Sequence, residues 1–474
     1  MVFSSMVFLF AFLPITFAIY FFLPKKFQNY WLLLASLFFY AWGEPSRVFL
    51  LLFSIALNYF GALKLEETTG KIRKLILVLV LTVNLGLLFC FKYLNFATIS
   101  LHQFIPATQE MFDLTNIALP IGISFFTFQA ISYVVDVYRG RVKAQKNICY
   151  LGLYISFFPQ LVAGPIVRYS TIADQIESRV HCPDAFAEGM LRFIKGINKK
   201  VLIANVLSAV ADSAFASETL SIGLAWLGAV CYALQIYFDF SGYSDMAIGL
   251  GKMAGFTFLE NFNLPYQAKS VSDFWRRWHI SLGSWFRDYV YFPLGGSRVS
   301  SSLRLVFNLM VVWLLTGIWH GADWTFMLWG VMYGVLISLE KLLGIEKKLQ
   351  NKKVLSFLYQ IFTLLVVLLG WVLFRAEHIS QAIYYLKSLF GLAGNALTDI
   401  TFRFNLREYA FTMALGLLIV FFPYGKFPYG KLKEKTGSSG KWSVAISVVQ
   451  VILFIFSISC LVMQTNNPFI YFNF

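Results

Sequence analysis

Long apolar runs alternate along this chain with short basic or glycine-containing connections. The runs fall near residues 5–23, 28–43, 48–63, 74–91, 119–138, 217–238, 303–319, 324–342, 354–374, 408–423 and 443–463. About 17–25 largely apolar residues let a helix cross a bilayer. The pattern therefore predicts an all-α polytopic membrane protein with about 11 transmembrane helices. No positive residue precedes the first run and no small-residue cleavage site follows it, so it is expected to persist as a helix rather than leave as a signal peptide.

Two interruptions spoil the simple alternation. Residues 148–164 are apolar but contain Pro159 and close with Ala163-Gly164-Pro165. Basic stretches flank them on both sides, from Arg139 to Lys146 and from Arg168 to Lys200. Both flanks read as lying on one face of the membrane, which predicts a re-entrant segment; such backbone persists at depth only when buried in protein or lining a cavity. After Tyr237, the run Asp239-Phe240-Ser241-Gly242-Tyr243-Ser244-Asp245 predicts a broken segment that continues through Gly249, Gly251 and Gly255. Residues 120–340 are accordingly expected to enclose a cavity or funnel. The chain is read as one membrane domain, 1–474, with N-terminal helices over 1–118, a catalytic core over 119–342 and C-terminal helices over 343–474. The stretch from Lys433 to Lys441 reads as a solvated loop.

Residues 273–289 have helical periodicity. Phe274, Trp275, Trp278, Leu282, Trp285, Phe286 and Tyr289 share one face. Arg276, Arg277, Ser281, Ser284, Arg287 and Asp288 share the other, with His279 on the border and Ile280 as the exception. This predicts an aromatic amphipathic helix suited to the headgroup region or to capping a cavity, stopped by Pro293 and Gly295-Gly296.

Composition sharpens the membrane reading. The chain is 58% hydrophobic and only 13% charged, about half the charged share of an ordinary soluble domain. Its net charge of +15 is spread over alternate connections: Lys25 and Lys26; Lys71, Arg73 and Lys74; Arg139 to Lys146; Lys347 to Lys353; and Lys431 to Lys441. That distribution follows the positive-inside rule, placing those connections in the cytoplasm and the N-terminus outside. Membrane lipid, not nucleic acid, is the expected partner. Cys90, Cys149, Cys182, Cys231 and Cys460 are scattered without a C-x-x-C pair, so no disulfide framework, metal site or bound cofactor is expected.

Chemistry concentrates on histidine. The chain has five, and His320 follows an apolar run in Thr316-Gly317-Ile318-Trp319-His320-Gly321. An ionisable group at bilayer depth is a functional candidate by default. A base with room for substrate and a histidine bonded between helices fit His320 equally well. His279 lies among arginines, where an interfacial position is the simpler reading. Arg276, Arg277, Arg287, Arg298 and Arg304 suit phosphate recognition, although topology alone also accounts for each. Asp239 and Asp245 could orient a histidine or close an interhelical salt bridge. Gln160 and Arg168 could line a cavity or make satisfied polar contacts. Taken singly, these signals fit a transporter as well as an enzyme.

Ordered blocks change the balance. Asp273-Phe274-Trp275-Arg276-Arg277-Trp278-His279-Ile280-Ser281-Leu282, continuing through Phe286-Arg287-Asp288-Tyr289 to Gly295-Gly296, resembles a signature of the membrane-bound O-acyltransferase family. Trp313-Leu314-Leu315-Thr316-Gly317-Ile318-Trp319-His320-Gly321 resembles its second signature. The blocks Phe158 to Ile166 and Tyr237 to Asp245 agree, and the opening Met1-Val2-Phe3-Ser4-Ser5 is similar to the alginate O-acetyltransferase-like bacterial branch.

The resemblance covers nearly the whole chain. It implies tilted helices around a thin core with a funnel, the catalytic histidine at His320 and a supporting one at His279. Arg276, Arg277, Trp278, Asp239, Asp245, Gln160 and Trp319 are the expected substrate-binding residues. It further implies acyl transfer from a cytoplasmic thioester, acetyl-CoA, through an extracytoplasmic acetyltransferase partner with a serine nucleophile. The acceptor would be an exopolysaccharide or cell-wall glycan, and the location a bacterial inner membrane. D-alanyl transfer from a carrier protein to teichoic acid is the alternative within the class. A glycan transporter or scaffold is the alternative outside it; inverted repeats would favour a transporter, and none is visible.

Overall fold

The computed structural model describes residues 1–105, 117–421 and 439–463, and among these every regular element is helical. Among the described residues, eight helices are long and apolar enough to cross a membrane: Val48–Glu67, Gly70–Phe104, Ile222–Met253, Ser302–His320, Trp324–Leu342, Lys353–Arg375, Ile400–Phe421 and Val444–Met463. The other three expected runs are helical as well. Phe8–Phe22 and Ile123–Tyr138 are shorter apolar helices. Lys25–Gly43 begins with Lys25, Lys26, Gln28 and Asn29, which dilute its apolar character. The solvated loop expected from Lys433 to Lys441 lies mostly outside the described residues, and helix Ser439–Met463 starts within that stretch.

The chain forms two compact units, Met1–Phe193 with Met246–Leu259, and Ile194–Asp245 with Glu260–Phe474. In the first, helix Val48–Glu67 packs on Gly70–Leu88 and Ile123–Tyr138. Polar groups in such apolar surroundings must pair with one another. Asn58 and Asn84 do so through reciprocal amide hydrogen bonds of 3.1 and 3.0 Å. The interruption expected near Pro159 is present: helix Ile148–Ser156 stops, a single turn covers Phe158–Leu161, and residues 162–168 are not helical.

In the second unit, two expectations are corrected. The segment from Asp239 to Asp245 is not broken, because helix Ile222–Met253 runs through it for 32 residues. Its charges are neutralised in place: Lys200 Nζ stands 2.7 Å from Asp239 Oδ1, and Lys199 Nζ stands 2.7 Å from Asp245 Oδ2. Gly242 serves close packing, not a turn; a Cβ there would lie 2.8 Å from the Gly196 carbonyl oxygen.

The amphipathic helix expected over 273–289 is instead divided. Val271–Arg277 and Ile280–Phe286 are separate helices, joined through extended Trp278 and left-handed His279 at φ 46°, and a π-turn follows over Arg287–Tyr291. Phe274, Trp278, Leu282, Trp285 and Phe286 are buried in protein. Backbone groups released by such a break need partners. The neighbouring strip 261–263 supplies them: Asn263 N donates to Arg277 O and Ile280 N donates to Asn261 O, both at 2.9 Å. At the start of Val271–Arg277, the buried Glu340 carboxylate accepts from Val271 N at 2.7 Å and Ser272 N at 2.8 Å.

Helices Ser302–His320 and Trp324–Leu342 cross at two glycines. A Cβ on Gly330 would stand 2.5 Å from the Trp313 carbonyl oxygen, and one on Gly317 would run into the Phe326 carbonyl. This close approach sets the wall against which His320 sits. Gly330→Ala is therefore expected to destabilise the protein by about 1–3 kcal/mol, read as a lower thermal midpoint in detergent. Gly86→Ala, whose Cβ meets nothing within 4 Å, should leave that midpoint unchanged or raise it. Equal midpoints for the two variants would contradict the crossing as described.

Candidate active site

His320 is the last residue of helix Ser302–His320, and the chain turns away at once through extended Gly321. Its side chain is 3% exposed. Three aromatic rings surround the imidazole: Trp319 at 5.0 Å, Trp329 at 5.2 Å and Phe374 at 5.2 Å between centroids. These come from its own helix, from Trp324–Leu342 and from Lys353–Arg375.

His279 is equally enclosed, at 2% exposure. Its ring meets Phe240 edge-on at 4.7 Å and lies 5.9 Å from Trp319, the indole that also neighbours His320. The sequence reading favoured an interfacial His279, but the helix break turns it inward. Its Nδ1 lies 3.1 Å from Asn261 Oδ1, whereas its Nε2 is buried with no hydrogen-bond partner among the described residues. His279 lies outside the eight membrane-length helices, and burial pushes its pKa well below the ordinary value, favouring neutral imidazole.

Buried polar atoms are normally paired, so each unpaired one calls for an explanation. Trp275 Nε1, Trp329 Nε1 and Tyr333 Oη join His279 Nε2 in lacking partners among the described residues. The three rings lie together, Trp275 at 5.2 Å from Trp329 and 4.9 Å from Tyr333, and Trp329 borders His320. Two imidazoles and a group of polar atoms in an aromatic interior suit proton transfer to and from a bound hydroxyl or thiol.

The other expected residues are distributed unevenly. Trp278 packs on Trp371 at 4.8 Å and stacks on Phe274 at 5.6 Å, holding the backbone next to His279. Arg276 pairs with Glu346 at 2.5 Å, and Arg277 Nε pairs with Asp273 at 3.0 Å. Burial alone would raise the Asp273 carboxyl, but hydrogen bonds from Arg277 and the Lys269 amide hold it below its ordinary value. Asp239 and Asp245 hold Lys200 and Lys199, fixing the helix that carries Phe240. Gln160 belongs to the first unit, where its Nε2 donates to the Tyr154 carbonyl at 2.5 Å. Sequence reasoning missed Asn261, Trp329 and Phe374. The last two look like ordinary helix-core aromatics in sequence, and Asn261 stands in an irregular strip, Glu260-Asn261-Phe262-Asn263, without periodicity.

Comparison with known proteins covers this whole region. A family model described as MBOAT, membrane-bound O-acyltransferase family, matches residues 75–376. The probable alginate O-acetylase AlgI of Pseudomonas aeruginosa is 44% identical over 428 residues, covering 89% of this chain and 81% of that protein. A peptidoglycan O-acetyltransferase of Helicobacter pylori is 38% identical over 435 residues, covering 85% and 82%. At greater distance, a teichoic acid D-alanyltransferase of Bacillus subtilis is 28% identical over 242 residues, covering 47% and 59%.

The Lys200–Asp239 pair is almost wholly buried, with side chains 3% and 2% exposed. Removing one partner of such a pair leaves an uncompensated charge and costs about 3–5 kcal/mol. Lys200→Ala should therefore lower the unfolding midpoint in detergent sharply, and Lys200→Met combined with Asp239→Leu should recover most of the loss. A double variant as unstable as the single one would rule out the pair as the source of the effect.

Proposed function

The chain belongs to the membrane-bound O-acyltransferase family, and from that premise we propose that it moves an acetyl group from cytoplasmic acetyl-CoA towards hydroxyls of an extracytoplasmic polysaccharide such as alginate. A partner transferase outside the membrane would carry the group to the glycan. In this reading all eleven apolar helices are embedded in a bacterial inner membrane, with the N-terminus outside. The single observation that carries it is the pair of buried imidazoles linked through Trp319, inside the region matched by the family model.

His320 acts as the general base. It takes the proton of the attacking hydroxyl as that oxygen bonds to the thioester carbonyl carbon. The tetrahedral oxyanion then collapses, the carbon–sulfur bond breaks, and the imidazolium returns the proton to the departing thiolate. His279, which also neighbours the Trp319 indole, supports the reaction. Arg276 and Arg277 are the residues read as meeting the phosphates of the donor, Trp278 and Trp319 as shaping the path of substrate, and Gln160 as a substrate contact within the first unit. Asp239 and Asp245 act through their lysines by fixing the helix behind His279. Acetyl transfer is favoured over D-alanyl transfer because the acetylating relatives are more similar and span far more of the chain.

The test compares wild type with His320→Ala in membranes containing the partner proteins and labelled acetyl-CoA. Loss of a general base lowers the rate by roughly 10²–10⁴-fold. Transfer to glycan or partner should fall by that factor while the variant inserts at wild-type level. Unchanged transfer by the variant would remove His320 from the mechanism.

A further inference from the structure

The amide of Asn261 decides which nitrogen of His279 carries the proton. Asn261 Oδ1 lies 3.1 Å from the Ser281 backbone N, 2.9 Å from Ser281 Oγ and 3.1 Å from His279 Nδ1, and Asn261 Nδ2 donates to Ser244 Oγ at 3.1 Å. A backbone N–H only donates, so the amide atom facing Ser281 N is oxygen and the amide cannot be turned over. That oxygen only accepts, and the Ser281 hydroxyl donates to it at 2.9 Å rather than to Nδ1, which it meets at 3.4 Å, so His279 Nδ1 bears the hydrogen. A neutral imidazole has one N–H, which leaves the lone pair on Nε2. This Nε2 is the buried atom without a hydrogen-bond partner among the described residues.

Several independent contacts hold the arrangement. The Asn261 carbonyl accepts from Ile280 N at 2.9 Å, so main chain and side chain of one residue grip both sides of the break. Ser244, on the helix that also presses Phe240 against the His279 ring, orients the far end of the amide. The left-handed His279 backbone at φ 46° is unfavourable for a residue other than glycine and persists where its surroundings enforce it.

We propose that Asn261 is a positioning residue: it holds His279 as the Nδ1–H tautomer and presents the Nε2 lone pair as an acceptor for a hydrogen-bond donor of the bound substrate other than the hydroxyl proton that His320 takes. The hydrogen bond made by one ring nitrogen sets the state of the other. The catalytic part of this inference rests on the acyl-transfer reading above; the tautomer assignment does not.

The two parts are tested separately. Full-length protein carrying ¹⁵N-labelled histidine is reconstituted in bilayers, and the His279 signals are assigned by their absence from His279→Gln. The expected spectrum has a protonated Nδ1 and an unprotonated Nε2. An Nε2-protonated His279 in wild type overturns the assignment whatever the activity. Asn261→Ala is expected to release the tautomer and to lower kcat by roughly tenfold or more, with the KM for acetyl-CoA little changed. Asn261→Asp keeps the acceptor oxygen and should restore both the tautomer and most of kcat. Equal losses in the two variants with an unaltered His279 spectrum, or no loss in Asn261→Ala, overturn the positioning role. A wild type that shows the expected spectrum but transfers no acetyl group contradicts the acyl-transfer reading alone.

Discussion

Opening a helix inside an apolar interior frees backbone N–H and C=O groups that water cannot reach, and each must find a partner or impose a large penalty. The break at Trp278 and His279 meets this constraint through one short strip, residues 261–263, whose main chain accepts from Ile280 N and donates to Arg277 O. Everything that makes the site usable follows from it. With the break bridged, His279 turns inward, and Trp278 beside it packs on Phe274 and Trp371 within the protein.

The remaining devices keep that geometry stiff. Buried ion pairs are poor sources of net stability, since desolvation offsets most of the attraction. The lysine–aspartate pairs sit on helix Ile222–Met253, which also carries Phe240 against the His279 ring and Ser244 to Asn261. On the other side, the glycine crossing of Ser302–His320 with Trp324–Leu342 lets Trp329 reach the His320 ring. Glu340 adds a third anchor by holding the start of Val271–Arg277, and Tyr359 in turn donates to it at 3.1 Å. The proposed proton-transfer role would need groups held within fractions of an ångström, and glycine contact, buried charge and backbone pairing each fix part of this region.

Much of this was legible in the sequence, for physical reasons. Apolar runs identify membrane-length helices because the hydrocarbon thickness sets a length, and eight of the expected runs have the required length and apolarity. His320 stood out because an ionisable group at the end of an apolar helix calls for a partner or a role, although the local sequence fitted both equally well. What failed was local periodicity. Residues 273–289 have good helical amphipathicity, yet the chain breaks at His279 because the partners that make the break affordable lie some 18 residues upstream, beyond any local pattern. The opposite error occurred at Asp239 to Asp245: charges and glycines suggested a break, but Lys199 and Lys200 neutralise the carboxylates and the helix continues. Asn261 was invisible for the same reason as the break it supports.

The central claim is that the acetyl group crosses the membrane while its donor does not. The most direct measurement uses sealed inside-out vesicles that contain this protein with the proposed glycan-modifying partner, with labelled acetyl-CoA supplied only to the outward-facing cytoplasmic surface. The account predicts acetyl label on the partner or glycan in the lumen, with no intact acetyl-CoA there. Intact donor accumulating in the lumen, or acetylation only when acetyl-CoA is enclosed with the acceptor, would contradict it.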